Sequence, residues 1–365
     1  MKYIFIFLLL IHGLIHLMGF AKAFNYAPIS QLTRFISKPL GLLWLAAALL
    51  FVVAAILYGL KTDYAWMVII AAVMTSQILI VGNWQDARAG TILNAIIVIT
   101  IIPFAAEWWY VQHYKRDVAT GLRQAMGAEV SLLTLNDVAP LPEPVQRYIV
   151  YSGSIDKPKI RNFKIEFEGE IRGDTQSPWM PFTREQYNVI DPPTRLFFMK
   201  ATMKGLPVSG YHHYKNGVAV MDIRLLSLFR VQYQAGREMD VAETVTWFND
   251  VCLLAPAALI DPRIQWQSID SLSARATFHH QNITISATLF FNSKGELINF
   301  ISDDRYYVTG KGDLQKERFS TPAGDYRNSD GRIVMGYGEA VWKLGSGDLT
   351  YGHFRLKSVA YNVAQ

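Results

Sequence analysis

Four uncharged apolar runs at the head of the chain limit what it can fold into. Residues 3–21, 40–60 and 64–81 contain no Asp, Glu, Lys or Arg, and 90–106 is uncharged up to Glu107. A helix needs about 20 apolar residues to cross about 30 Å of hydrocarbon, so each run is long enough, or nearly so, to span a bilayer. Trp44, Tyr58, Trp66, Trp84, Trp108, Trp109 and Tyr110 lie near the run ends, where amphipathic rings favour the headgroup level. The charges follow the same division. The 365 residues include 35 Lys or Arg and 30 Asp or Glu, and residues 1–110 hold only six and three of them. The mean hydropathy of +0.15 is therefore an average over a membrane part and a water-exposed part. Neither a single soluble globule nor a disordered chain fits that division.

Lys2, an apolar run and Ala21-Lys22-Ala23 also resemble a cleavable signal peptide. The run is longer than the usual core of about 7–15 residues and contains His12 and His16, which favours a retained anchor. Four spans place both chain ends on one side. Lys2, Lys61, Lys115 and Arg116 then face one compartment, and Lys22, Arg34, Lys38 and Arg88 the other. The positive-inside count is tied, but the first loop outweighs the N-terminus. The expected location is a cell membrane, crossed several times, with the C-terminal part outside the cytoplasm.

His12 and His16 share one helix face. Such a pair suits a metal or haem, or hydrogen bonds between helices. With no third ligand in view, the second reading is favoured. Asp86 and Arg88 are expected to pair locally, and Thr91 and Asn94 to bond to backbone or neighbouring helices.

Residues 112–140 read as an exit helix and linker between a four-span region, 1–111, and a globular domain, 141–365. His113 to Val130 is helical in composition. Pro140, Pro142 and Pro144 then stop any helix. After Arg161 the period becomes two: Phe163, Ile165 and Phe167 alternate with Lys164, Glu166 and Glu168. Strands are also predicted over 179–190, 194–204, 207–214, 283–291, 297–308, 332–343 and 349–361. Asn216-Gly217 predicts a hairpin turn, because both positions tolerate positive φ. One helix interrupts the strands, beginning at Asp240 and Glu243 as a variant capping box and stopped by Pro256. Its apolar residues recur at helical spacing. The predicted fold is a four-helix transmembrane bundle followed by an α+β domain: a curved antiparallel β-sheet, or half-barrel, with a packed helix.

The whole chain resembles an uncharacterised bacterial family with four N-terminal transmembrane helices and a C-terminal domain of unknown function. The residues that carry the resemblance are His12-Gly13-Leu14-Ile15-His16, Asp86-Ala87-Arg88-Ala89-Gly90-Thr91, Thr246-Trp247-Phe248-Asn249-Asp250, Ala255-Pro256-Ala257-Ala258-Leu259 and Phe300-Ile301-Ser302-Asp303-Asp304-Arg305-Tyr306. The strand–helix–strand order and the hairpin Phe291-Asn292-Ser293-Lys294-Gly295-Glu296-Leu297 also resemble the half-barrel lipoprotein carriers of the bacterial envelope. That second resemblance implies an apolar concavity able to hold acyl chains.

No strong catalytic signature is present: no G-x-S-x-G, P-loop, H-E-x-x-H or G-x-G-x-x-G. The net charge of +5, without a block of five like charges, gives no support to nucleic-acid binding. A single cysteine, Cys252, excludes an intramolecular disulfide and a Cys-rich metal site. No metal or other cofactor is expected, and protein partners are open.

The leading expectation is a membrane-anchored, non-enzymatic domain that binds lipid or another hydrophobic ligand. Trp179, Phe198, Trp247, Phe248 and Phe300 would contact apolar groups, Arg184 or Arg305 an anionic head, and His213, Asp250 and Asp303 would complete the polar lining. A second reading is an envelope hydrolase, which requires His213, Asp250, Asp303 and Arg305 to meet in one cleft. A third is a structural or sensory ectodomain of a membrane complex.

Overall fold

A computed structural model describes residues 2–125, 131–309 and 312–364 of the chain. It divides into two compact units, Met1–Val111 and Gln112–Gln365.

The first unit consists of helices α1 (Lys2–Ala23), α2 (Lys38–Gly59), α3 (Ala65–Gly82), the short α4 (Trp84–Ala87) and the beginning of α5 (Gly90–Ala125). Four of them, α1, α2, α3 and α5, are long and apolar enough to cross a membrane. Small residues let such helices approach closely. Gly13 and Gly19 do so here. A Cβ at Gly19 would stand 2.1 Å from the Trp44 ring, and one at Gly13 would stand 2.9 Å from Phe51 Cβ.

Polar side chains hydrogen-bond between these helices. His12 Nε2 bonds Asn94 Oδ1 at 2.9 Å and Ser76 Oγ at 3.2 Å. Asn94 Nδ2 donates to Ser76 and to Gln77, and Gln77 to Thr91. His16 Nδ1 donates to the His12 carbonyl at 2.8 Å. The expected Asp86–Arg88 pair is not what forms. The Asp86 carboxylate instead accepts from the Thr33 amide at 2.6 Å, the Thr33 hydroxyl and the Arg34 amide, because the first loop presents unpaired amides within its reach.

The second unit contains the end of α5, then α6 (Leu135–Val138) and α7 (Glu143–Tyr151). Residues 126–130 of the expected exit helix lie outside the described residues. Helix α6 stops at Val138, ahead of Pro140, and α7 starts within the proline run. Pro144 sits in the first turn of α7, where its missing N–H has no helical partner to lose. Within the expected linker, Leu133 and Val138 are buried in the core of this unit, with Tyr148, whose hydroxyl donates to the Cys252 carbonyl at 2.9 Å.

Strands follow in two runs separated by a helix. The first run is β1 (Asn162–Ile171), β2 (Met180–Val189), β3 (Thr194–Met203), β4 (Leu206–Lys215), β5 (Val218–Leu225) and β6 (Phe229–Ala235). Helix α8 (Arg237–Leu254) and a 3-10 turn come next. The second run is β7 (Ile264–Asp270), β8 (Ser273–His280), β9 (Ile283–Phe291), β10 (Leu297–Val308), β11 (Leu314–Gly324), β12 (Arg327–Ser329), β13 (Arg332–Val334), β14 (Tyr337–Leu344) and β15 (Gly347–Tyr361). At the predicted hairpin, Asn216 and Gly217 both take positive φ, 49° and 85°.

The main sheet has 13 strands in the order β6-β5-β4-β3-β2-β1-β15-β14-β11-β10-β9-β8-β7. Each run is thus a meander, and β1 pairs antiparallel with β15 to weld them at the centre. The sheet curls into a half-barrel, and α8 connects its two edge strands across the concave side. At one end the curl is drawn together. Gln281 donates to the Asn216 carbonyl and side chain, and Arg263 reaches Asp191 at 3.0 Å and the Ile190 carbonyl at 2.8 Å. Trp247, Phe248, Phe278 and Phe300 fill that end as a packed core, all fully buried.

Helix α8 starts at Arg237 rather than at Asp240. Gly236, at φ 106°, turns the chain into it, and Asp240 is drawn off to accept from the Ala219 amide at 2.7 Å. Enclosed by the curl, α8 buries its polar residues as well as its apolar ones.

Candidate functional site

Towards the other end of the curl, α8 and the sheet do not meet. They leave a cavity of about 180 Å³. Most of its wall is apolar: Phe167, Phe182, Phe197 and Met199 from one run of strands, Phe319 and Phe354 from the other. The helix contributes Glu243, Thr246, Asn249, Asp250 and Leu253, a single stripe at helical spacing. The sheet adds Arg184, Arg195, His212, Arg305 and Tyr351.

Arg195 is held tightly. Its Nε donates to Asp250 at 2.7 Å, Nη1 to Glu243 at 3.0 Å and Nη2 to Gln186 at 3.1 Å. Gln186 also donates to Asp250 at 2.6 Å. Arg195, Glu243, Asp250 and Gln186 are all buried. The two carboxylates push the proton affinity of Arg195 above its ordinary value despite the opposing effect of burial.

Arg184 is held differently. Its guanidinium lies 4.2 Å from the Phe167 ring centre and 5.0 Å from those of Phe197 and Phe354. It is 9% exposed, and its Nε is buried without a hydrogen-bond partner. Burial pushes its pKa down to about 9, so it stays protonated at neutral pH. Arg305 donates to the Tyr351 hydroxyl at 3.0 Å and lies 3.9 Å from the Phe319 ring centre. His212 stands on the wall between them. Burial, followed by the charges of Arg195 and Arg305, holds its pKa down to about 3, so the ring is neutral. Among the described residues, no group of three His, Cys, Asp or Glu side chains is placed to hold a metal.

Of the ten residues expected to bind a ligand, the structure brings Arg184, Asp250 and Arg305 to this cavity. The other seven stand elsewhere. Phe198 and His213 are each one residue out of step. Strand alternation turns Phe197 and His212 inward, whereas Phe198 packs 5.2 Å from Tyr114 of α5 and His213 lies beside Tyr211 on the outer face. Trp247 donates its indole N–H to the Val189 carbonyl at 3.0 Å, and Phe248 stacks on Phe278 at 5.5 Å and lies 6.1 Å from Phe300; these three belong to the packed end. Trp179 stacks on His353 at 4.3 Å, beyond the end of β1.

Two apart on a regular strand, Asp303 and Arg305 would share one face. A bulge separates them: Ser302 pairs with Phe319 and Arg305 with Glu317, so β10 carries one extra residue. Asp303 therefore faces solvent, where Arg318 donates to it at 2.6 Å, and Arg305 faces in. His213 and Asp303 are thus both away from the cavity, and the four-residue cleft required of a hydrolase does not form.

The polar residues that sequence reasoning missed are Arg195, Glu243 and Gln186. One signal for them was available. Phe182, Arg184, Gln186 and Asn188 alternate on β2, but polar alternation ordinarily marks the solvent face.

Residues 131–354 match the model of a family of unknown function, DUF6544. No curated protein matches the chain. Among solved structures, a DUF1329 family protein from Desulfovibrio piger is similar at 8% identity, with a TM-score of 0.34 over 64% of this chain and 95% of that one. A LolA superfamily protein from Nitrosomonas europaea is similar at 9% identity, with a TM-score of 0.31 over 60% of this chain and 94% of that one.

Proposed function

The chain belongs to DUF6544, a family of unknown function, and from its own geometry we propose that it is a membrane-anchored protein whose C-terminal domain binds a hydrophobic ligand inside the half-barrel. The observation that carries this reading is the cavity under α8. Ordinary cores pack to crystal density with few voids larger than a water molecule. A mostly apolar hollow of about 180 Å³ with a few converging polar groups is the usual form of a small-molecule site.

Four helices of sufficient length and apolarity support anchoring in a bilayer, and the basic first loop favours an extracytoplasmic domain.

The test is a small neutral fluorophore, 1-aminoanthracene, added to the full chain in lipid nanodiscs. The wild type should bind it saturably, above the background of empty discs. Thr246 lines the cavity from α8, and Thr246→Phe should abolish that binding with little change in thermal stability. Binding that survives Thr246→Phe would place the ligand elsewhere.

A further inference from the structure

We propose that the ligand is a small monoanion, an organic carboxylate with an apolar body, whose negative charge is met by Arg184 with Arg305 as second donor. This rests on reading the cavity as a ligand site and names the class of molecule that fills it.

The argument starts from an imbalance. Glu243 and Asp250 are both engaged by Arg195 at 3.0 and 2.7 Å. Glu339 turns its carboxylate to the other face of β14, where it accepts from the Tyr337 hydroxyl at 2.9 Å. Arg184 is left with three aromatic rings and a buried Nε that bonds to nothing. Arg305 is left with a neutral tyrosine hydroxyl. A guanidinium presents five donors in a planar fork suited to carboxylate. Burying one without a partner is unfavourable, and nothing in the fold requires it, since Arg184 ties no two strands together through a hydrogen bond. A ligand anion supplies the missing partner.

Charge and size narrow the class. Arg184, Arg195 and Arg305 stand on the wall against the carboxylates of Glu243 and Asp250, an excess of one positive charge, which favours a monoanionic carboxylate over a phosphate dianion. A cavity of about 150 Å³ holds one benzene ring. A hollow of about 180 Å³ therefore seats one ring or a short alkyl segment beside the anion, and the rest of a longer chain, or of the fused rings of 1-aminoanthracene, extends through the open mouth.

The test uses three probes of one chain length, octanoate, 1-octanol and octyl phosphate, each competing with 1-aminoanthracene on the full chain in nanodiscs at pH 8. Octanoate should bind about tenfold more tightly than 1-octanol, which corresponds to one buried charge-assisted hydrogen bond. Arg184→Met should bring the two within about threefold by weakening octanoate, the mark of a lost anion contact. Should Arg184→Met fail to fold, Arg305→Met should shrink the same preference. Equal binding of octanoate and 1-octanol by the wild type would overturn the anion site and leave the apolar cavity standing. Tighter binding of octyl phosphate than octanoate would overturn the monoanion. If the fluorophore itself does not bind, the reading of the cavity as a ligand site fails first.

Discussion

Replacing Asp250 by alanine tests the polar network most directly. Asp250 Oδ2 accepts from Arg195 Nε at 2.7 Å and from Gln186 Nε2 at 2.6 Å. Arg195 is 4% exposed and Asp250 is 7% exposed, so water cannot replace either bond. Removing one partner of a buried ion pair costs about 3–5 kcal/mol. Glu243 remains on Arg195 at 3.0 Å and holds the loss at or below the foot of that range, about 2–3 kcal/mol. For a domain of this size each kcal/mol lowers Tm by about 2–4 °C, so the expected drop is about 4–12 °C. The assay is thermal unfolding of the full chain in nanodiscs at pH 8, followed by tryptophan fluorescence. Asp303→Ala is the control. Its pair with Arg318 is as short, at 2.6 Å, but its side chains are 58% and 63% exposed, and such pairs contribute less than about 1 kcal/mol. Equal shifts for the two variants would refute the claim that burial, rather than distance, sets the strength of these contacts.

Two further outcomes are expected. His212 has its pKa held at about 3 in the fold against an ordinary 6.5. The unfolded chain therefore binds the proton first, and this stability is present above pH 6.5 and lost as pH falls towards 3. At pH 5 the loss is about 1–2 kcal/mol, and His212→Gln should flatten the fall in Tm between pH 7 and pH 5; identical slopes would show that the fold does not depress the pKa of His212. Cys252 on α8 is fully buried, and burial pushes its thiol well above the ordinary range. Iodoacetamide at pH 8 should leave it unmodified until the domain unfolds, and rapid labelling of the native chain would contradict the seating of α8 within the curl.

Local signals read well from the sequence, and relations between distant segments did not. The four apolar helices announce themselves by the absence of charge, and the Asn216-Gly217 turn by its need for positive φ. The order of the sheet has no local sign: nothing in Asn162–Ile171 says that its partner is β15. The site fell between these cases. Phe198 and His213 were one residue from the inward Phe197 and His212, and in a strand one residue is the difference between two faces. The extra residue of the β10 bulge shifted Asp303 away from Arg305. Glu243 and Asn249 follow the spacing of a solvated helix face. Their burial comes from α8 lying inside a curved sheet, which the helix sequence alone does not record.

The pairing of β1 with β15 has a consequence for biosynthesis. The register joins Phe163 to Tyr361, so the middle of the sheet is its last part to become available on the ribosome. Until then β1 presents Phe163, Ile165 and Phe167 on an open edge, the kind of edge on which chains aggregate. Contacts of such long sequence separation also form slowly. The nascent domain must therefore be shielded until β15 emerges, and a chain cut short within β15 would leave both meanders unjoined.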